Sequence, residues 1–419
     1  MLKIANFSQA NQALQKYVTD NSGQVKYTLE NMTKFMNFLG NPQNRLKIVH
    51  VAGTSGKTST CYYVASLLSQ EGYKTGLTVS PHIDQINERV QVNLVPIPEA
   101  KYCFLLAEFL ELVESSEIKL SHFEVMVAFA YWVFDKEKVD YAVVEVGLGG
   151  LLDGTNVVNR DDKICVITDI GLDHTEILGS TLGEIAYQKA GIIHENNTVF
   201  MNSQSDDVVD VVRGVCNEQK AVLNINTKSE MDFVDLPNFQ KRNLSLAVAC
   251  VNFVLEKDAR SMLSDENISD ASQVYIPGRM EIVNYKDKTL ILDGSHSSQK
   301  VSALVSDIQK KFPGKKISLL ASFGQNKESS VTESVKILKE LGDSIITTCY
   351  SGGQDEKRKP IDATILAQYA NDSGFNNVIV EKDPAKALEI LISNDSDIYL
   401  VTGSLYLLND LHSVVTKTT

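Results

Sequence analysis

Ile48-Val49-His50-Val51-Ala52-Gly53-Thr54-Ser55-Gly56-Lys57-Thr58-Ser59 decides how this chain is read. Residues 46–51 are apolar and β-branched, as a buried strand is. A turn of glycines and hydroxyls follows. Val64, Ala65, Leu67 and Leu68 then recur at helical spacing over 58–70. A strand that passes through a glycine turn into a helix lets backbone N–H groups close around phosphate oxygens. Lys57 then reaches the β/γ-phosphates, Thr58 or Ser59 holds Mg²⁺, and the helix start adds its positive dipole end. In the strict phosphate loop a glycine stands where Val51 stands here; Gly53 replaces it, so the loop is a shorter variant.

The chain has 419 residues, 43% hydrophobic and 22% charged, which reads as soluble, globular and long enough for two domains. No apolar run reaches the roughly 18 residues of a membrane span. The start, Met1-Leu2-Lys3-Ile4-Ala5-Asn6-Phe7, soon turns polar, which argues against a secretory signal and makes the cytoplasm the expected location. The formal net charge is −13 and no Lys/Arg block occurs, so no nucleic-acid partner is expected. An anionic substrate would rely on local cations such as Lys57, Arg89 and Arg279. The six cysteines form no CxxC pair and the seven histidines no HExxH motif, which favours buried thiols over disulfides or zinc.

Helical patterns over 8–20 and 28–39 precede the first strand, and Leu39-Gly40-Asn41-Pro42 stops the second of them. Strands over 46–51, 74–79, 140–146 and 163–168 alternate with helices over 58–70, 99–115 and 122–135. That alternation builds a parallel sheet covered on both faces. Pro277-Gly278 marks a turn or linker, after which the alternation restarts. Strands fit 289–292, 316–321, 344–349, 376–380 and 397–401; helices fit 298–311, 331–340, 361–370, 384–393 and 404–411. The second set predicts a smaller doubly wound domain. Ligands bind beyond the carboxyl ends of such strands, so polar residues there carry the weight.

Glu145 closes the strand that begins at Tyr141 and is followed by Val146-Gly147-Leu148-Gly149-Gly150. It is placed either to hold Mg²⁺ beside the phosphate loop or to cap a nearby helix. His174, next to Asp173, is either a satisfied polar side chain or a metal ligand oriented by that acid. Lys189 lies in the apolar stretch Gln188-Lys189-Ala190-Gly191-Ile192-Ile193; from spacing alone it reads first as a snorkelling surface lysine, and otherwise as a desolvated one. Ser80-Pro81-His82 puts a hydroxyl at a strand end. Pro277-Gly278-Arg279, Asp293-Gly294-Ser295-His296 and Thr402-Gly403-Ser404 stand out in the second half, each explicable singly as turn chemistry.

In order, these segments resemble the folylpolyglutamate synthase/dihydrofolate synthase family of the Mur ligase superfamily. The resemblance runs from Tyr27 to Leu408. It also takes in Asn87-Glu88-Arg89, Phe123-Glu124, Asp153 with Thr155-Asn156, Leu172-Asp173-His174-Thr175, Leu178-Gly179, Lys189-Ala190-Gly191, and Gln240 with Asn243. Within the superfamily, the loop near residue 50 leaves no room for a preceding UDP-sugar domain, which favours the folate branch. The resemblance implies an α/β fold: an N-terminal P-loop-type parallel-sheet ATPase domain over 1–272, a linker over 273–279, and a smaller Rossmann-like C-terminal glutamate-ligase domain over 280–419.

It also implies a reaction. ATP phosphorylates a carboxylate of dihydropteroate or of folate, and L-glutamate attacks the acyl phosphate to form an amide. The loop residues Gly53, Thr54, Ser55, Gly56, Lys57, Thr58 and Ser59 would hold the phosphates. Asn243, Arg279, Asp293 and His296 would hold the nucleotide, bound between the domains. Thr58, Ser59 and Glu145 would hold one Mg²⁺, and Ser80, Glu145 and His174 a second. Lys57, Lys189 and His174 are the implied catalytic residues, with Phe123 and Asp153 at the acceptor substrate. Lys189 matches a lysine carbamylated by CO₂, which requires a neutral and therefore buried amine. A monomer without membrane or nucleic-acid partners is expected.

The sequence departs from the family pattern at Ser297 (usually Asn), at Leu151 (often Arg) and at Asn326-Lys327-Glu328 (usually Asp-Lys-Asp). The rival readings are a Mur-like ligase with another acceptor acid and a catalytically decayed nucleotide-binding homologue. A signalling GTPase would want Asn-Lys-x-Asp, which Asn326-Lys327-Glu328-Ser329 does not supply.

Overall fold

The computed structural model describes residues 3–18, 28–227, 231, 233–325, 328–352 and 359–416. Tyr27, where the resemblance begins, residues 19–20 of the first expected helix, and Asn326-Lys327 lie outside the described residues. The chain divides into two compact units, Met1–Tyr275 and Ile276–Thr419.

The first unit carries strands β1 (Lys47–Ala52), β2 (Thr75–Thr78), β3 (Gln91–Val92), β4 (Val95–Pro96), β5 (Tyr141–Glu145), β6 (Ile164–Ile167), β7 (Thr198–Asn202) and β8 (Val222–Asn226). Among the described residues they form one sheet in the order β4-β3-β2-β5-β1-β6-β7-β8. The strands from β2 to β8 in that order pair in parallel; β3 and β4 add an antiparallel edge. From β1 the chain passes to β2, returns to fill β5 between them, then crosses to β6 on the other side of β1. Departure on both sides of β1 opens a crevice at the strands' carboxyl ends. Register aligns what lines it: Val51 of β1 lies opposite Glu145 of β5 and Val166 of β6.

Helices α1 (Phe7–Leu14), α2 (Glu30–Phe38), α3 (Lys57–Gln70), α4 (Glu99–Ser116), α5 (His122–Glu137), α6 (Thr175–Leu178), α7 (Leu182–Ala190), α8 (Asp206–Glu218), α9 (Asn238–Lys257) and α10 (Asp265–Ser272) complete the unit. Ser121 caps α5: its hydroxyl accepts from Glu124 N while the Glu124 carboxylate accepts from Ser121 N. Beyond that cap α5 is apolar on nearly every side. Phe129, Phe134 and Trp132 join Phe109 of α4 and Phe35 of α2 in one core with Ile48, Ala142 and Val144 of the sheet. Each such burial contributes about 1.5–3 kcal/mol. A second core gathers Ala52, Ile167 and Met201 with residues of α7 and α8. Helix α3 packs along α9 and α10.

The second unit holds β9 (Glu281–Tyr285), β10 (Lys288–Leu292), β11 (Ile317–Ala321), β12 (Ser344–Thr347), β13 (Asn377–Val380) and β14 (Ile398–Thr402), in the order β13-β12-β11-β14-β10-β9. All pairs are parallel except the β9–β10 hairpin. Helices α11 (Ser298–Lys311), α12 (Glu328–Leu338), α13 (Ala363–Asp372) and α14 (Pro384–Ser393) connect the strands, and α15 (Leu405–Thr416) follows the last of them.

Three stretches differ from the sequence expectation, the first being the short antiparallel edge β3–β4, which no expected strand covers and which makes the sheet mixed. The expected elements leave 169–270 empty, yet β7, β8, α6 to α9 and the start of α10 lie there. Strand β8 reads Val-Leu-Asn-Ile-Asn and sits at the sheet edge, where half-exposed positions accept asparagine and the apolar alternation is diluted. Strand β9 likewise lies outside the expected set. Its hairpin turns through Lys286 (φ 49°) and Asp287 (φ 60°), positions where glycine or asparagine is the usual sequence sign. Five of the six cysteines are buried free thiols and Cys349 is half-buried. Among the described residues no helix is long and apolar enough to cross a membrane.

Candidate active site

Strand β1 ends buried at Ala52 and the chain turns sharply. Gly53 has φ +153°, and a Cβ there would stand 1.8 Å from Thr168 Oγ1; Gly56 has φ +89°, and a Cβ would stand 2.3 Å from Asn243 Oδ1. Only glycine fits either place. Gly56 is also the N-cap of α3 and supplies no capping side chain. The first helical bond runs from Thr60 N to Gly56 O, so the amides before Thr60 precede the ladder. The loop hydroxyl of Ser55 is buried and has no hydrogen-bond partner among the described residues. An uncapped helix start beside an unpartnered hydroxyl is chemically suited to phosphate oxygens.

The amides of Thr54 and Ser55 serve another purpose. Both donate to Asp169 O, at 2.8 and 3.1 Å, in a short antiparallel bridge. Thr54 Oγ1 in turn donates to Gly171 O at 3.1 Å. The backbone of the first half of the loop is therefore tied to the strand end after β6, which leaves the Ser55 hydroxyl and the amides of the second half suited to an anion.

Two lysine amino groups converge on the loop. Lys57 Nζ donates to Gly53 O at 3.1 Å, and Lys189 Nζ donates to the same oxygen at 2.9 Å. Lys189 occupies the last turn of α7 and is 4% exposed, which overturns the snorkelling reading. Helix α7 is itself fixed by a Thr181/Glu184 capping box.

Glu145, 4% exposed at the end of β5, accepts from Thr58 Oγ1 at 2.9 Å and from Ser80 N at 3.2 Å. Its charge, together with burial, pushes the nearby Cys61 thiol well above its usual range, while Lys57 acts the other way; burial is the largest cause. Ser59 is buried one residue on in α3. A carboxylate flanked by hydroxyls suits a hard cation such as Mg²⁺ completed by phosphate oxygens and water. Among the described residues no three His, Cys, Asp or Glu side chains gather into a metal cluster. His174 follows β6 with φ +50° and faces the acids of its own loop, with Nε2 3.8 Å from Asp173 Oδ1 and Nδ1 3.9 Å from Glu176 Oε1.

Ser80, Arg89, Phe123, Met126 and Glu145 line one small pocket. Phe123 also closes on Gly147, where a Cβ would stand 2.5 Å from its ring. Asp153, expected at the substrate, is spent on the loop itself. Its Oδ2 accepts from Leu148 N at 2.8 Å, and its Oδ1 accepts from the amide and hydroxyl of Thr155 at 3.0 and 2.5 Å. Burial raises its pKa above the usual carboxylate range against those bonds. We read Asp153 as a brace for the glycine loop. Leu151 packs where Gly191 leaves no side chain, and its amide donates to Gln188 O at 2.8 Å.

In the second unit Arg279, Asp293 and His296 stand together at the end of β10. Gly294 N donates to Gly278 O at 3.1 Å, which closes the Pro277-Gly278-Arg279 turn on the strand end. Asp293 is 2% exposed and accepts from Met280 N and Ser295 N, each at 2.8 Å. Burial raises its pKa although Ser295 and the Arg279 charge oppose the rise. His296 Nδ1 lies 3.0 Å from Gly294 O, which can only accept. Nδ1 therefore carries the proton, and Nε2 accepts from Lys300 Nζ at 3.1 Å.

Known families match both units of the chain. Residues 51–286 match the Mur ligase middle domain, and residues 278–405 match the Mur ligase glutamate ligase domain. A dihydrofolate synthase/folylpolyglutamate synthase of Bacillus subtilis is 30% identical over 420 residues, covering 92% of this chain and 94% of that protein. The chain belongs to the folylpolyglutamate synthase/dihydrofolate synthase family of Mur ligases. A dihydrofolate synthetase of Saccharomyces cerevisiae is 28% identical over 416 residues, with 93% and 91% covered. Two solved structures share the fold of this Mur ligase. Mycobacterium tuberculosis folylpolyglutamate synthase complexed with ADP has a TM-score of 0.85 at 24% identity, with 98% of each chain covered. Escherichia coli FolC in complex with DHPP and ADP has a TM-score of 0.83 at 24% identity, with 100% of each chain covered.

Arg242 and Lys300 carry no sign in the sequence of their place in this Mur ligase site, and Glu88, part of the Asn87-Glu88-Arg89 motif, shows its role only in the structure. Arg242, beside the expected Asn243, pairs with Asp169. Lys300 reaches His296 from the first turn of α11. Glu88 clamps the loop after Ser80 by accepting from the amides of Ile83, Asp84 and Gln85 at 2.6–2.8 Å. Arg242 gains its meaning from a partner 73 residues earlier, whereas Lys300 and Glu88 find theirs within five residues, in turns whose geometry the sequence does not spell out. Arg89, named early as a local cation, is 2% exposed and donates from Nε to His82 Nδ1 at 2.9 Å.

Proposed function

We propose that this chain is a cytoplasmic, monomeric ATP-dependent ligase that joins L-glutamate to dihydropteroate, to the γ-carboxylate of a folate, or to both. The observation that carries this reading is the convergence of Lys57 and Lys189 on Gly53 O, beside a Glu145 that takes the Thr58 hydroxyl and the Ser80 amide.

The reaction divides in two. A carboxylate oxygen of the acceptor attacks the γ-phosphorus of ATP, giving an acyl phosphate and ADP. The glutamate amine then attacks the acyl carbon, loses its proton, and expels phosphate with that carboxylate oxygen. Neither half needs a protein nucleophile; both need aligned atoms and neutralised charge. Lys57 and the amides at the start of α3 bind the β/γ-phosphates. Thr58 or Ser59 with Glu145 would hold one Mg²⁺, and Ser80, Glu145 and His174 a second. Bound there, Mg²⁺ would neutralise charge that develops on the phosphate oxygens. In the second unit, Arg279, Asp293 and His296 are assigned to the nucleotide. Phe123 packs against the acceptor's ring.

Lys189 is assigned the carbamate. Addition of CO₂ to its neutral amine, with loss of a proton, replaces a cation with an anion, and the buried position favours the neutral amine that must react. Incubation with ¹³CO₂ should give a carbamate carbon signal that Lys189→Ala lacks; a wild-type spectrum without that signal removes the modification.

The test of the whole reading is ADP release with ATP, Mg²⁺, L-glutamate and either dihydropteroate or tetrahydrofolate. Turnover that requires both a pteridine acid and glutamate supports it. Turnover with an unrelated acid, or ATP binding with no ADP formed under any pairing, overturns it.

A further inference from the structure

The loop after β1 is tied from outside to a pair of side chains, those of Asp169 and Arg242. Asp169 O receives both Thr54 N and Ser55 N, so the place of Asp169 sets the place of the loop. The Asp169 carboxylate is itself gripped by Arg242: Nε lies 2.9 Å from each oxygen and the NH2 nitrogen lies 2.8 Å from Oδ1. The same NH2 nitrogen also donates to Ser203 O at 2.7 Å, just past β7. Gln204 fixes the rest of the segment, accepting from Ile170 N at 2.7 Å and donating to Thr168 O at 3.3 Å. The next residue of α9, Asn243, presses its Oδ1 on Gly56 at the loop's other end. One turn of α9 thus bears on both ends of the loop.

The pair is about one third exposed, with side chains 30% and 28% accessible, so its strength lies in two-pronged geometry more than in desolvation. It has an electrostatic consequence as well. Arg242 neutralises a carboxylate on the residue to which the loop is bonded. Without Arg242 that negative charge would stand unpaired behind a loop built for a triphosphate.

We propose that Arg242 and Asp169 are positioning residues of the nucleotide site, acting through the Asp169 carbonyl on Thr54 and Ser55. The proposal rests on the ligase reading for its effect on ATP, but its structural half does not.

Two measurements on the full chain separate the two. The first is hydrogen exchange without nucleotide. Arg242→Ala and the near-isosteric Asp169→Asn should speed exchange of the Thr54 and Ser55 amides about 10-fold, the scale of one charge-assisted hydrogen bond, and leave Thr60 unchanged. The second is steady-state kinetics. Arg242→Ala should raise the KM for ATP about 10-fold or more while the KM for glutamate stays within about 2-fold, Arg242→Lys should fall between it and wild type, and adding Asp169→Asn to Arg242→Ala should recover part of the loss. Unchanged exchange at Thr54 and Ser55 in both single variants, or equal losses in both KM values, overturns the proposal. Should Arg242→Ala fail to fold, Asp169→Asn carries both measurements. A wild-type chain that takes no ATP sinks the ligase reading, while the exchange result still decides the brace.

Discussion

Lys57 and Lys189 reach one carbonyl oxygen from two helices, and only the first was marked for this by its sequence. Lys57 follows a glycine turn whose purpose is local, so neighbouring residues suffice to read it. Lys189 is an amine in an apolar run, and its direction depends on where α7 packs, which no neighbour encodes. The family resemblance supplied what spacing could not. Lys57→Ala should lower turnover by about 10²–10³, the usual scale for one preorganised electrostatic contact, measured as kcat with the fold checked by circular dichroism. Glu145→Gln keeps the side chain's shape but removes its charge. Half-saturating Mg²⁺ should rise on the order of 10-fold, a shift read directly from a magnesium titration of ADP release. Away from the site, His194 should govern part of the acid stability. Burial chiefly, and the Lys163 charge next, push its pKa down to about 4. Between the ordinary histidine value and that figure the unfolded chain binds a proton that the folded chain refuses. Stability is therefore complete above about pH 6.5 and falls as pH drops toward 4. The melting temperature of His194→Gln should decline less steeply over that window than that of wild type.

The strand–loop–helix from β1 to α3 was legible because its glycines answer a local steric demand. Gly56 adopts φ +89° with Asn243 against it, and Gly53 faces Thr168. Gly56→Ala should cost about 1–2 kcal/mol in stability from its left-handed backbone alone, and should weaken nucleotide binding further by displacing Asn243. Calorimetric unfolding and an ATP titration of the same variant separate the two effects. The core strands β5, β6, β10, β11 and β14 were likewise readable, since burial on both faces leaves continuous apolar runs. Edge strands β8 and β9 were not, because partial exposure mixes their composition. Length accounts for only part of the gap after β6, since α8 and α9 run 13 and 20 residues and carry a periodicity that could have been read. Helix α7 is only nine residues, too short for several turns of periodic signal, and α6 is shorter still.

Two α/β units were expected from the restart of the alternation after Pro277-Gly278, and the chain separates into compact units at Tyr275 and Ile276. Order along the chain could not reveal that α9 returns to brace the loop after β1, since that contact follows from sheet order β1-β6-β7 and not from distance in sequence. A chain ending at Tyr275 keeps the loop, Glu145 and Lys189 but lacks Arg279, Asp293 and His296. It is predicted to release no ADP with either acceptor, and ligation by that shortened chain would remove the second unit from the chemistry. The account as a whole turns on a carboxylate activated by phosphorylation at the loop between β1 and α3. Acceptor labelled with ¹⁸O in the reacting carboxylate tests it most directly, followed by mass analysis of the inorganic phosphate formed with ATP and glutamate. One labelled oxygen per phosphate is the predicted result; phosphate that carries none, with the amide product formed, would contradict it.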